Sequence, residues 1–279
     1  MTDTALVAAR AVRRRRRPDH LARILGVFMV LMLAFILAPI VVVVVISFSA
    51  ESYVAFPIVE TSMRWYWRIL EYRPFIDSLI VSLELALCSA GLGAAISVPA
   101  ALAIARSHSP VATTIASFLL APLSIPAIVL AFALLYYLSA LSFGVSFLAL
   151  LTAHTVITIP YIARTVLVVY RGISPDVEEA AAILGATRWQ ILVHVTLPLI
   201  RPGIFAGGLF AVLISMDNLP ISFFFGSSTT MTLPVVMLSY LQNQFDPSIA
   251  AISTVQMAIA VVMLIVVDRV YGINRLNAA

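Results

Sequence analysis

From Ile24 to Ile46 the chain runs without one charged side chain, and five more apolar runs follow at roughly 76–105, 113–139, 146–170, 203–225 and 250–271. A helix rises 1.5 Å per residue, so about 20 apolar residues cross the ~30 Å hydrocarbon core of a bilayer. Only 11% of the 279 residues are charged, against about 25% in an average soluble domain. Such a chain cannot cover its surface with polar groups in water. The expected fold is an all-α membrane protein with six transmembrane helices. The first run exceeds the 7–15-residue core of a signal peptide and is read as a retained helix. The chain divides into an Arg-rich tail (1–23), a membrane domain (24–271) and a short second tail (272–279).

All 17 basic residues are arginine. Without lysine there is no P-loop of the ordinary kind and no Schiff-base chemistry. Cys88 is the single cysteine, and His20, His108, His154 and His194 lack the spacing of a metal motif. No cofactor, metal or catalytic residue is expected, and the chain is read as no enzyme. The arginines gather beside the apolar runs, which suits membrane topology better than nucleic acid. With the N-terminus inside, the inner segments carry Arg10, Arg13 to Arg17, Arg23, Arg106, Arg171, Arg188, Arg201, Arg269 and Arg275. The outer segments carry Arg64, Arg68 and Arg73, offset by Glu51, Glu60 and Glu71. The expectation is therefore that both termini are cytoplasmic. The basic N-terminal run is a topology signal or an attractor of anionic headgroups. In the outer loop 47–75, Trp65, Tyr66 and Trp67 suit a membrane-interface belt, or else a partner surface.

The longest inner segment, 171–202, lies between the fourth and fifth spans. Ser174 and Pro175 are an N-cap and first-turn pair. Asp176, Glu178 and Glu179 place negative charge at a helix N-terminus. Gly185 can end that helix in the left-handed conformation. A second amphipathic stretch, Thr187 to Val195, is expected to be broken by Pro198. The result is a short helix–turn–helix with a slim, acidic edge. Glu179-Ala180-Ala181, three residues, Gly185, nine residues, then Val195-Thr196-Leu197-Pro198 resembles the EAA loop of binding-protein-dependent ABC importer permeases. Val195 in place of isoleucine is the one departure. The resemblance extends over about 24–271. His154-Thr155 with Pro160-Tyr161, then Ser215-Met216-Asp217, then Thr232-Leu233-Pro234 are similar to permeases of spermidine/putrescine-type importers.

The resemblance implies a cytoplasmic coupling helix docking in a groove of an ATPase, with Glu178, Glu179, Ala180, Ala181 and Gly185 making or shaping the contact. It implies a homologous second permease subunit, two ATPase subunits carrying the hydrolysis, an extracytoplasmic solute-binding protein, and residence in a bacterial inner membrane. The alternative for the loop is packing on its own bundle.

Charged groups within spans are costly and mark functional sites by default. Glu84 and His154 lie about 12 Å below the outer ends of their spans, and Asp217 about 9 Å from the outer face. With Asn218 and Tyr161 they are read as lining the solute pathway, with the carboxylates favouring a cationic or zwitterionic solute. The alternative is a buried Glu84–His154 contact or an Asp217–backbone contact that only fixes packing. Pro220, close behind Asp217, is placed to unwind the helix there. Where the resembled family often has a second aspartate this chain has Asn218. That departure leaves opines, amino-acid derivatives or phosphonates beside polyamines. Two other classes compete. An ion-coupled secondary transporter would use Glu84, His154 and Asp217 as a proton relay, yet that class often shows internal repeats, and none is visible. A membrane enzyme would need a convergent acid, base and nucleophile, and the loops offer none.

Overall fold

The computed structural model describes residues 20–107, 109–227 and 230–271. The Arg-rich run, His108 and the tail 272–279 lie outside the described residues. The elements are α1 (His20–Ile46), α2 (Arg64–Glu71), α3 (Arg73–Ala105), α4 (Pro110–Leu120), α5 (Ala127–Ala140), α6 (Phe147–Arg171), α7 (Asp176–Ile183), α8 (Arg188–Ile191), α9 (Leu197–Met216), α10 (Leu219–Phe225), α11 (Leu233–Asn243) and α12 (Ser248–Tyr271). Long apolar helices form because a bilayer leaves the backbone no other hydrogen-bond partners.

Five stretches are long and apolar enough to cross a membrane as they stand, and α4 with α5 makes a sixth only as a pair bent by 111°. The bend is local: Pro122 opens a 3₁₀ turn over Ala121–Ser124, and Pro126 precedes α5. Proline disfavours helix in the residue before it and donates no hydrogen bond. The pair nevertheless has to cross. Arg106, at the end of α3, donates to the Ile173 carbonyl at 3.3 Å, and its guanidinium lies 4.5 Å over the Tyr170 ring. The C-terminal ends of α3 and α6 therefore share one side. Because α6 is itself a full span, residues 107–146 must return across.

The fifth span differs from a helix over 203–225. It is continuous from Arg188 to Met216 and stops there. Pro198 does not break it. A π-helical turn over Leu192–Thr196 precedes the proline. That wider turn takes up the ring's clash with the carbonyl four residues back, so the helix continues.

The core is a trio of α3, α6 and α9, including Ala86, Ala101, Ile162, Val166, Ile200 and Ala211. Gly207 makes the approach of α9 to α6 possible, since a Cβ there would stand 2.9 Å from the Ile162 Cα. Small residues at such crossings let dispersion act between backbones. A second cluster joins α3, α5, the first half of α6 and α10 through Leu85, Ala131, Leu138, Leu150, Ile221 and Phe225. A third, at the end opposite Arg106, packs α2 and α11 on α3 and α12. Trp65 belongs to this third cluster. It is 2% exposed and donates its indole N–H to the Ser49 carbonyl at 2.8 Å, so it is core and not belt. Its neighbour Trp67 is exposed as a belt residue would be. Nearby, the buried Tyr240 hydroxyl donates to Asp246 at 2.8 Å, and burial raises its pKa above the ordinary 10.0.

Candidate coupling loop and membrane pathway

The loop between α6 and α8 is closed by its own residues. Ser174 Oγ receives the Asp176 N–H at 3.4 Å, and α7 starts there with three carboxylates in its first turn. Gly185 has φ +87°, the left-handed conformation expected of it. Around it the Gly185 N–H donates to Ala182 O at 3.0 Å and the Ala186 N–H to Ala181 O at 3.1 Å. Together these satisfy the last carbonyls of α7. Thr187 and Gln190 then form a reciprocal capping box that starts α8.

The two adjacent glutamates face opposite ways. Glu179 is exposed with Ala180, and Ala181 is half-buried. Beyond them Ile183, Leu184 and Trp189 are 85%, 88% and 71% exposed. Glu178 turns back to the bundle. Its Oε1 accepts from Thr196 Oγ1 at 2.6 Å and from the Tyr170 hydroxyl at 2.9 Å. Its Oε2 stands 3.6 Å from Arg106. This one carboxylate thereby ties the loop to the ends of α3 and α6 and to the π turn that leads into α9. Expected as a contact to a partner, its carboxylate is instead a mount within the chain.

The pathway residues separate. Asp217 has φ −98° and ψ 3°, Asn218 φ −79° and ψ 84°, and the helix stops across them, as Pro220 suggested. Asp217 is exposed. It lines a cavity of about 660 Å³ with Leu219, Met237, Gln256 and Met257. Asn218 accepts the Ile221 N–H at 3.1 Å and caps α10. On the other side of the span, it lines a cavity of about 200 Å³ with Tyr161, Pro160 and Pro122.

Ser215, two residues before Asp217, accepts from Ser89 at 3.2 Å, and Ser89 is the midpoint of α3, ~24 Å from each of its ends. His154 is 0% exposed. Its Nδ1 is 2.8 Å from Ser215 Oγ, and its Nε2 is 3.2 Å from Ser222 Oγ. It lines no pathway here, nor does it meet Glu84. That residue is exposed on the face of α3 that carries Ile80, Leu87 and Cys88.

Sequence reasoning missed Arg106, Thr196, Ser89, Ser215 and Ser222. One signal was present: Ser215 and Ser222 stand seven apart and flank Asp217-Asn218.

The loop ends in an apolar, exposed turn and is rooted in three spans, and the span that follows it stops at a helix break beside a cavity. The chain belongs to the family of binding-protein-dependent transport system inner membrane components, which its residues 93–275 match. The putrescine transport system permease protein PotI of Escherichia coli K12 is 29% identical over 235 residues, 82% of this chain and 83% of that protein. The spermidine/putrescine transport system permease protein PotC of Haemophilus influenzae is 26% identical, over 85% and 92% of the two chains. The molybdenum transport system permease protein ModB of Mycobacterium bovis is 30% identical, over 77% and 87%. Among solved structures, a bacterial ABC transporter involved in the import of the acidic polysaccharide alginate superposes with TM-score 0.69 at 18% identity, covering 93% of this chain and 99% of that one. The last likeness concerns the fold alone.

Proposed function

We propose that this chain is the permease subunit of an ATP-driven importer of an aliphatic organic cation of the polyamine class. The observation that carries the solute class is Asp217. A single carboxylate stands at a helix break, on the wall of a cavity otherwise rich in leucine and methionine. Such a wall suits an ammonium group followed by methylenes, and the names of PotI and PotC point the same way. A molybdenum oxyanion, suggested by the name of ModB, would meet the Asp217 carboxylate as a like charge.

The partners follow from surfaces this chain leaves open. Glu179, Ile183, Leu184 and Trp189 form an exposed apolar patch with one acid, which fits a groove on each of two cytoplasmic ATPase subunits. Glu84 is a carboxylate at membrane depth on an uncovered helix face. Lipid is a poor solvent for it, so a homologous second permease covers that face. An extracytoplasmic solute-binding protein would deliver the cation to the side of α2 and α11. The arginine bias places both termini and the coupling loop in the cytoplasm.

The test is ATP-driven uptake of radiolabelled putrescine into proteoliposomes holding the chain with its co-purified subunits. Wild type is expected to accumulate putrescine, and Asp217→Asn to raise the KM about fivefold. Uptake of molybdate in place of putrescine would overturn the solute class. Uptake without ATP would overturn the importer reading.

A further inference from the structure

The break in span five separates two hydrophobic clusters. The half before it, α9, packs with α3 and α6 through Ile200, Ala211 and Met216. The half after it, α10, packs with α5 and the start of α6 through Ile221 and Phe225. Two halves seated in different clusters need something to set the angle between them. His154 touches both. Its Nδ1 meets Ser215, two residues before Asp217, and its Nε2 meets Ser222, four residues after Asn218. Ser215 is tied on to Ser89 of α3, and Thr158, one turn along α6, donates to the Ser89 carbonyl at 3.1 Å. Ser89, His154, Thr158, Ser215 and Ser222 are all 4% exposed or less. One donor order fits the chain: Ser89 to Ser215, its proton shared with the Ala86 carbonyl, then Ser215 to Nδ1, and Nε2–H to Ser222.

We infer that His154 is a positioning residue: it pins the two halves of span five across the Asp217–Asn218 break, and so holds the Asp217 carboxylate at the cavity wall. Imidazole suits the task because it is rigid and carries polar atoms on opposite edges, so one ring spans a gap that a shorter polar side chain bridges from one side only. Both bonds are buried, so cutting either releases a constraint and leaves a buried polar group without its partner. The effect on transport rests on the reading of Asp217 given above, whereas the pin itself does not.

Cys88 is the single cysteine, so Cys88→Ser provides a cysteine-free background. Leu219→Cys in that background places a thiol at the break, on the cavity wall. Its labelling by a small maleimide is measured in the assembled complex, with chain amount normalised by immunoblot. Ser222→Ala and His154→Asn each cut the distal link, the latter because asparagine is too short to reach Ser222. Each is expected to speed labelling and to raise the putrescine KM about threefold, the size of one hydrogen bond between membrane helices. Combined with Asp217→Asn, neither should raise the KM further, because the effect runs through that carboxylate. Unchanged labelling in both variants, or a full KM shift that persists in the Asp217→Asn background, would overturn the inference. Failure of the polyamine reading looks different: Asp217→Asn would leave the putrescine KM unmoved while labelling still responds to Ser222→Ala.

Discussion

The turn after α7 and the turn after α9 both end a helix, and they are built by opposite means. At Gly185 the chain satisfies itself: Ala181, Ala182, Thr187 and Gln190 supply the partners, all within five residues. At Asp217–Asn218 the backbone closes locally too, with the Asp217 N–H on Leu213 O at 3.2 Å and the Leu219 N–H on Asp217 O at 2.9 Å, but among side chains the local contribution is one Asn218 cap. The rest comes from His154 on α6, and through Ser215 from Ser89 on α3. A self-closed turn is a rigid unit that can be pushed as a whole. A turn held by neighbouring helices changes when those helices move relative to each other. The first is suited to receive force from outside the chain and the second to answer it within the bundle. Glu178 links them, since its carboxylate joins α7 to the π turn that leads into α9.

Breaking the self-closed turn should have the largest effect. Gly185→Val puts a β-branched residue at φ +87°, where the left-handed conformation costs ~1–2 kcal/mol or more. Uptake is expected to fall by about tenfold or more, with the ATPase lost on purification. A complex of normal composition would show that the turn does not shape that contact. Glu178→Ala comes next. It strips Arg106, Tyr170 and Thr196 of their shared acceptor, a change in the ~1–3 kcal/mol range for a partly buried charged group. Here the ATPase should remain bound and keep hydrolysing while putrescine moved per ATP falls about fivefold to tenfold. A proportional loss of both activities would reduce Glu178 to a stabiliser of the loop. Asp217→Asn should raise the putrescine KM about fivefold with little change in maximal rate, read from initial uptake rates. The smallest effect belongs to Asn218→Ala. If tertiary partners hold the break, removing its one local cap should alter uptake by no more than about twofold. A larger loss would mean that the two turns are built alike after all.

The same contrast explains what was legible. The spans and the turn at Gly185 rest on neighbours within a few positions, so pattern and spacing report them. The bend between α4 and α5 was hidden because hydropathy sums over prolines, and Pro122 and Pro126 sit inside a run that is apolar throughout. The continuation past Pro198 was misjudged because a π turn leaves no mark in a hydrophobic pattern. His154 was recognised as a polar residue with a purpose, but whether it faced a cavity or a serine depended on the rotation of two other helices.

Sequence by itself determined that this chain lives in a bilayer, that its spans connect through a coupling loop of defined spacing, and that the loop begins and ends where it does. Those are properties of hydrophobic length and of hydrogen bonds within one or two turns. Tertiary structure alone decided that Glu178 points inward while Glu179 points out, that Asp217 stands on a cavity wall, and that His154 is buried between Ser215 and Ser222. Each of these depends on which face of one helix meets which face of another. That is set by packing across sequence separations of 18 residues for Glu178 and 61 and 68 for His154, where no local pattern reaches.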